Sequence, residues 1–171
     1  MPGSLRRMKP EIIHHIKNTL VDFNSSILDC GPGKGTYSDL LSENNKRIYE
    51  NMDCCEIHEP YIKRFNLEKK YKNVYISDIC DFGFAWYDMI IMGDVLEHID
   101  INRSKKMIEY IYNKCEHLII VIPFLFKQDA CHGNPYEEHL QPDLTHDIFM
   151  KRYPGFKQLC CARRLAAYIK E

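Results

Sequence analysis

The chain has 171 residues, 45% of them hydrophobic and 27% charged, and its formal net charge is −1 at pH 7. This length suits one domain around a single core, and the near-neutral charge argues against a basic surface for the phosphate backbone of nucleic acids. We find no apolar run long enough to cross a bilayer and no signal-peptide pattern, so we expect a cytoplasmic protein with no membrane-embedded part. The eight cysteines include no C-x-x-C pair, which favours reduced, mostly buried thiols.

Apolar and polar segments alternate in the β-α rhythm that is typical of an α/β domain. We assign residues 1–10 to an N-terminal extension or a tag remnant and residues 11–171 to a single domain. The predicted helices cover 11–23, 36–42, 60–70, 102–115 and 143–153. The predicted strands cover 26–30, 48–55, 73–76, 87–92, 118–123, 156–161 and 165–169, the last two as a hairpin.

A glycine-rich loop follows the first predicted strand. In the sequence DCGPGKG, which starts at Asp29, the residues Gly31, Gly33 and Gly35 occupy every second position. Glycine tolerates positive φ and lets backbone N–H groups approach a ligand closely, and the N-terminus of the following helix points to the same place. Dinucleotide-binding folds use G-x-G-x-x-G at this position, so the spacing argues against a nicotinamide oxidoreductase.

Three further segments follow later predicted strands. Glu56 closes the second strand in the sequence EIHEPYI, and Asp53 lies close by. Asp78 and Ile79 follow the third strand. The fourth strand continues into the sequence YDMIIMGDVLEH over residues 87–98. Each segment lies at the carboxyl end of a predicted strand, which is where open α/β sheets bind their ligands.

In their order and spacing, these motifs resemble those of the class I S-adenosylmethionine (SAM)-dependent methyltransferases over residues 27–169. The resemblance implies an α/β fold, with a doubly wound, seven-stranded, mostly parallel sheet that ends in a C-terminal antiparallel hairpin. It implies SAM as the cofactor and S-adenosylhomocysteine (SAH) as the product. The cofactor-binding residues that it implies are Asp29, Gly31, Gly33, Gly35, Glu56, Asp78, Ile79, Gly93 and Asp94.

The resemblance also implies a role for each part of the cofactor site. Glu56 would accept hydrogen bonds from the ribose hydroxyls, because charge-assisted bonds are the stronger kind, although Asp53 stays an alternative. Asp78 would bind the exocyclic amine of adenine, and Ile79 would pack on the ring. The backbone at residues 93–94 would meet the methionine part of SAM.

A long loop predicted over residues 124–142 is the candidate for acceptor recognition. It contains the sequence CHGNPYEEHL over residues 131–140, which resembles a stretch in a poorly characterised branch of small bacterial and viral methyltransferases. His139 is the candidate general base or positioning residue, with Tyr136 and Glu137 as helpers. Alternatively, the Asn-Pro-Tyr sequence only builds a turn and His139 caps the next helix.

A metal site in this region would draw on Cys131, His132, His139 and His146. These spacings match no common zinc site, so we predict no metal. His98 either lies near the pocket or simply closes a helical turn.

We therefore predict a SAM-dependent methyltransferase that methylates an oxygen or nitrogen of a small-molecule acceptor. The segment after the fourth strand lacks the (D/N)-P-P-(Y/F) motif of nucleic-acid amino-methyltransferases and the Pro-Cys nucleophile of cytosine-C5 enzymes, so DNA is not an expected substrate. Two alternatives stay open, an RNA or protein methyltransferase acting with a partner subunit and a non-catalytic SAM-binding module. A homodimer also stays open.

Overall fold

A computed structural model describes residues 8–20, 24–43 and 48–170. In this part of the chain, seven strands form one sheet in the order β3-β2-β1-β4-β5-β7-β6. The strands are β1 (Ile27–Cys30), β2 (Met52–Glu56), β3 (Val74–Ile76), β4 (Tyr87–Gly93), β5 (Cys115–Pro123), β6 (Lys157–Ala162) and β7 (Leu165–Lys170). The α-helices are α1 (Lys9–Thr19), α2 (Thr36–Ser42), α3 (Glu59–Phe65), α4 (Ile101–Ile111) and α5 (His146–Arg152). Short 3₁₀ turns cover Ile48–Asn51, Leu67–Lys69, Leu96–His98 and Pro135–Glu137.

The order of the strands reverses at the middle of the sheet. β1 pairs in parallel with β2 on one side and with β4 on the other, while β3 and β5 extend the parallel part outward. β7 pairs antiparallel with both β5 and β6. The predicted fold, a doubly wound and mostly parallel sheet with a C-terminal hairpin, is confirmed. The reversal of the strand order leaves a crevice beyond the carboxyl ends of β1 and β4, where such folds bind ligands.

The central strands are apolar on both faces because helices cover both sides of the sheet. Along β4, Ile90 and Met92 belong to one core cluster, whereas Met89 and Ile91 belong to the other. This alternation follows from the two-residue period of a strand. α4 and α5 pack against the first cluster, and α1 and α2 against the second. Among the cysteines, Cys30, Cys54, Cys55 and Cys115 are buried, Cys80, Cys131 and Cys160 are half-buried, and Cys161 is exposed.

The largest departure from the predicted elements lies before β2. Residues 48–51, predicted as the start of this strand, form a 3₁₀ turn. β1 begins at Ile27, which lies opposite Met52, so earlier residues have no partner in β1. The third predicted helix is also shorter than expected, because α3 ends at Phe65 and Asn66 takes a left-handed conformation with a φ of 53°.

The first helix starts earlier than predicted. α1 begins at Lys9, inside the segment assigned to an extension, and both Met8 and Lys9 are buried. The predicted end of this helix, at residues 21–23, lies outside the described residues. Among the described residues, no helix has the length and apolar character that a membrane span requires.

Candidate active site

A cleft of about 1000 Å³ opens beyond the carboxyl ends of the parallel strands. Every residue predicted to bind the cofactor lines this cleft except Gly35. We call this group the cofactor side, after the role predicted for its residues. Tyr136, Glu137 and His139, the predicted acceptor residues, also line the cleft, together with Glu97 and His98. We call these five residues the acceptor side, after that prediction.

The three loop glycines all have positive φ, at 59° for Gly31, 52° for Gly33 and 75° for Gly35. A Cβ atom on Gly31 would lie 2.6 Å from Cγ2 of Val95, which follows β4. Gly35 is the N-cap of α2, and a Cβ atom there would lie 2.8 Å from Cδ of Lys70. Gly35 therefore shapes the loop from outside the cleft, while Gly31 and Gly33 face the cleft itself.

Acidic and basic groups are buried together at the end of β1. Asp29 is 1% exposed and accepts a hydrogen bond of 2.6 Å from the Tyr71 hydroxyl. Burial raises the pKa of Asp29 to about 6, against the hydrogen bond from Tyr71 and the charge of Lys9. The Nζ atom of Lys9 lies 3.6 Å from the centroid of the Tyr37 ring. Burial lowers the pKa of Lys9, while the charges of Asp29 and Asp94 raise it.

Glu56, the last residue of β2, is an acidic residue that lines the cleft. It is 4% exposed, and its Oε1 accepts a hydrogen bond of 2.8 Å from the N–H of His58. Burial raises the pKa of Glu56 to about 7, and hydrogen bonds from the N–H groups of His58 and Gly33 oppose that rise. The alternative, Asp53, accepts a hydrogen bond from Asn73 and does not line the cleft.

Asp78 and Ile79 line the part of the cleft that follows β3. Oδ1 of Asp78 accepts a hydrogen bond of 2.9 Å from the N–H of Cys80, and Oδ2 lies 3.1 Å from Nη1 of Arg103 on α4. The side chain of Ile79 is 8% exposed. Asp78 is thus already positioned by an ion pair beside an apolar surface.

The backbone turns sharply where β4 ends. A Cβ atom on Gly93 would lie 2.6 Å from Cε2 of Tyr37, so only glycine fits against this ring. Asp94 follows with a φ of 58°, and its N–H donates to the carbonyl oxygen of Val121 at 3.0 Å. This left-handed turn places both residues along the cleft.

The loop after β5 forms the wall of the acceptor side. Oδ1 of Asn134 accepts a hydrogen bond of 2.9 Å from the N–H of Tyr136, so the Asn-Pro-Tyr sequence does build a turn. Glu137 is 9% exposed and accepts a hydrogen bond of 2.9 Å from the Tyr61 hydroxyl. Tyr136 remains 49% exposed. The turn therefore holds Glu137 inward and leaves Tyr136 at the rim.

His139 is 7% exposed, and its Nδ1 lies 2.8 Å from the carbonyl oxygen of Phe126. Because a carbonyl only accepts, Nδ1 carries the ring proton and Nε2 keeps its lone pair. Burial lowers the pKa of His139. The alternative that His139 caps α5 is wrong, since the hydroxyl of Thr145 caps this helix by accepting from the N–H of Ile148.

Three potential metal ligands meet on the acceptor side. One ligand atom from each of Glu97, His98 and His139 lies within 4.8 Å of the others. Within the described part of the chain, no other group of three such side chains comes together in this way. The sequence also offered Cys131, His132 and His146 as metal ligands. These three residues do not belong to the group.

Comparisons with known proteins identify the fold. No protein-family model matches the chain, and no curated protein matches its sequence. A SAM-dependent methyltransferase from Clostridium acetobutylicum is 16% identical, over 94% of this chain and 90% of that one, with a TM-score of 0.66. The plantazolicin methyltransferase BpumL in complex with SAH is 14% identical, over 93% and 80%, with a TM-score of 0.66. The small RNA methyltransferase HEN1 is 13% identical, over 99% of this chain and 26% of that one, with a TM-score of 0.68.

The chain has the class I SAM-dependent methyltransferase fold. The resemblance of its motifs to that family is thereby confirmed at the level of the fold. In this methyltransferase fold, the motif residues of β1, β2 and β4 come together at the point where the strand order reverses.

Two residues of the cleft were missed by sequence reasoning, Lys9 and Glu97. Lys9 stood in the segment assigned to an extension. The helical spacing of Met8, Ile12 and Ile16, all of them buried, was a signal that could have extended α1 to include it. Glu97 had no comparable signal, because its burial depends on the loop after β5.

Proposed function

We propose that this chain is a SAM-dependent methyltransferase, which moves a methyl group from the sulfonium of SAM to an acceptor. The observation that carries this proposal is the cleft, where parallel strands bring together the glycine loop, Glu56 and residues 93–94. Glycines with positive φ permit close approach of a ligand to the backbone. The SAH complex of BpumL, a protein with the same fold, supports SAM as the cofactor.

In this proposal, SAM lies along the carboxyl ends of the parallel strands. Glu56 accepts hydrogen bonds from both ribose hydroxyls, while Asp78 accepts one from the adenine amine and Ile79 packs on the ring. The methionine part lies against residues 93–94. Its carboxylate is bound by Lys9, because a buried ammonium gains most from an anionic partner.

The transfer itself is an in-line displacement on the acceptor side. A lone pair of the acceptor attacks the methyl carbon, the bond from carbon to sulfur breaks, and SAH leaves as a neutral thioether. Positioning accounts for much of such catalysis, and a base removes the acceptor's proton. The neutral ring of His139 keeps a lone pair on Nε2, which would accept this proton. Glu137 and Tyr136 lie beside it.

The first candidate acceptor is a small molecule. The cleft measures about 1000 Å³, and pockets of about 300 to 1000 Å³ enclose ligands the size of a cofactor or a drug. SAM fills part of this volume, and the space on the acceptor side suits a second small ligand.

A second candidate acceptor is an unpaired end of RNA. Arg163 and Arg164, in the turn between β6 and β7, are exposed and line the cleft. Phe126 and Tyr136 also line it and are 47% and 49% exposed. Arginines bind phosphates, and aromatic rings stack on unpaired bases. HEN1, a small RNA methyltransferase, has the same fold.

Transfer of labelled methyl from SAM, measured with small molecules and with single-stranded RNA, tests the proposal and separates the two acceptors. The informative variant replaces both Arg163 and Arg164 with alanine, and Arg64→Ala on the exposed surface of α3 is the matched control. For an RNA acceptor, only the double variant should lose transfer, with unchanged affinity for SAH. For a small molecule, both variants should retain it.

Tight binding of SAH with no methyl transfer to any acceptor would instead support a non-catalytic SAM-binding module. Failure of the chain to bind either SAM or SAH would overturn the proposal itself.

A further inference from the structure

Two distant segments of the chain are tied together on the acceptor side of the cleft. The N–H groups of Leu140 and Gln141 both donate to the carbonyl oxygen of Glu97, at 2.8 and 3.0 Å. The amide of Gln141 also donates to the carbonyl oxygens of Leu96 and Ile99, at 3.0 and 2.9 Å. The turn after β4 and the loop after β5 are therefore held in one fixed arrangement, which suits a preorganised site.

Both histidines of this region are anchored through the same ring atom. Nδ1 of His98 lies 3.0 Å from the carbonyl oxygen of Glu138, and Nδ1 of His139 lies 2.8 Å from that of Phe126. Each ring is therefore protonated at Nδ1 and keeps a lone pair on Nε2. Metal-binding histidines have this pattern, in which the second nitrogen donates to a carbonyl or a carboxylate. The two rings meet edge to face, with centroids 4.5 Å apart.

Glu97 is buried without a visible partner for its carboxylate. It is 1% exposed, and within the described residues neither Oε atom has a hydrogen-bond partner. Buried carboxylates are normally paired or bound to a metal, so a cation is the partner that this position calls for.

We propose that Glu97, His98 and His139 form a binding site for a divalent metal ion. One potential ligand atom of each lies within 4.8 Å of the others. Two ligands at about 2.1 Å from one ion lie roughly 3 to 4 Å apart, so small side-chain rotations close the site. A set of one carboxylate and two imidazoles suits Mn²⁺, Co²⁺ or Zn²⁺ better than Mg²⁺ or Ca²⁺, and it leaves positions open to the cleft.

The role of this ion rests on the proposed methyl-transfer function. An open position would take the hydroxyl oxygen of the acceptor, and the ion would lower the pKa of that hydroxyl. The O–H bond breaks and its proton passes to solvent. The oxygen then bonds to the methyl carbon as the carbon–sulfur bond breaks, leaving its electron pair on sulfur. The site therefore favours O-methylation, with His139 holding the ion instead of taking the proton.

Titration of the metal-stripped full chain with Mn²⁺, followed by the electron paramagnetic resonance signal of free Mn²⁺, tests the site without SAM or acceptor. We expect one site per chain. Glu97→Gln and His139→Asn should each weaken binding by about tenfold or more, since ligands contribute at least as much as their supporting groups. Glu109→Gln and His14→Asn, at exposed positions, are the matched controls and should bind Mn²⁺ as the wild type does.

Thermal melting separates metal binding from a structural role. Glu97→Gln keeps the shape of the side chain and removes a buried carboxyl group that is costly to ionise, so without metal it should melt at or above the wild-type temperature. At the same concentration, Mn²⁺ should raise the melting temperature of the wild type and of the controls more than that of Glu97→Gln, because weaker binding stabilises the folded state less. If Glu97→Gln fails to fold, the comparison of His139→Asn with His14→Asn decides the matter.

The metal proposal is overturned if the wild type binds none of Mn²⁺, Co²⁺ and Zn²⁺, or if the ligand variants bind as tightly as the controls. Affinity for SAH, measured separately in metal-free buffer, reports on the proposed function alone, so failure of the one is distinguishable from failure of the other.

Discussion

Glu56 should make the affinity of the proposed ribose site depend on pH. Burial raises its pKa to about 7, and hydroxyl donors favour the ionised carboxylate. Affinity for 5′-methylthioadenosine should therefore rise as pH increases through 7. This ligand keeps the adenosine of SAM but carries no amino acid that titrates near neutrality. Calorimetry between about pH 6 and about pH 8 measures the effect, which approaches about tenfold per pH unit below the pKa.

Glu56→Gln is the informative change, because it keeps the shape of the side chain and removes its titration. This variant should bind 5′-methylthioadenosine weakly, with an affinity that no longer depends on pH. Glu59→Gln, at an exposed position on α3, should keep the wild-type profile. A flat profile in the wild type would show that Glu56 does not bind the ribose.

At the scale of single residues, the sequence was informative where local rules apply. The glycine spacing predicted a loop of unusual backbone, and Gly31, Gly33 and Gly35 all have positive φ. The contact between His98 and His139 had no such rule, because it depends on how a turn and a distant loop pack. The burial of Glu97 depends on the same packing.

At the scale of elements, α1 contributes to the cleft through its first residue. Lys9 lines the cleft with its ammonium over the Tyr37 ring. If Lys9 binds the carboxylate of SAM, Lys9→Met should weaken SAH binding by roughly tenfold or more. It should leave 5′-methylthioadenosine binding unchanged, since that ligand has no carboxylate. Calorimetry with both ligands measures the difference.

Lys17→Met, on the same helix, is the matched control, because Lys17 does not line the cleft. This control should bind both ligands as the wild type does. An equal loss of affinity for the two ligands in Lys9→Met would indicate a structural role for Lys9 in packing α1.

The sequence predicted the limits of an element well where a local signal sets them. It predicted them poorly where pairing with a neighbouring strand sets them. α2 spans Thr36–Ser42 as predicted, and it starts directly after the left-handed Gly35. The start of β2 is set by its register with β1, which pairs Ile27 with Met52. Apolar residues alone cannot reveal this limit, so residues 48–51 were predicted as strand.

At the scale of the whole molecule, the buried acids of the cleft should reduce stability as pH rises. Burial raises the pKa of Asp29 to about 6 and that of Glu56 to about 7. The folded state then holds these protons more tightly than the unfolded state, so the stabilisation is complete below pH of about 4 and is lost as pH rises through 6 and 7. Each acid accounts for up to about 3 kcal/mol of this change.

Urea unfolding between about pH 4 and about pH 8 measures this dependence. Glu56→Gln should be more stable than the wild type at the upper end of the range, and its stability should fall less steeply. Burial lowers the pKa of His98 to about 4, which acts in the opposite direction, so the comparison of the two proteins is the test. A Glu56→Gln variant whose stability falls as steeply as that of the wild type would contradict the account.

The central claim, that the cleft binds the cofactor, is tested most directly by calorimetric titration of the full chain with SAH. We expect one site in the wild type and no binding by Gly33→Val, because the added side chain blocks the approach of the ligand. Gly133→Val is the matched control, since Gly133 also has a positive φ, of 72°, with open space around it, and it lies outside the cleft lining. The control should stay within about twofold of the wild type. A wild type without affinity for SAH, or a Gly33→Val variant with wild-type affinity, would contradict the claim.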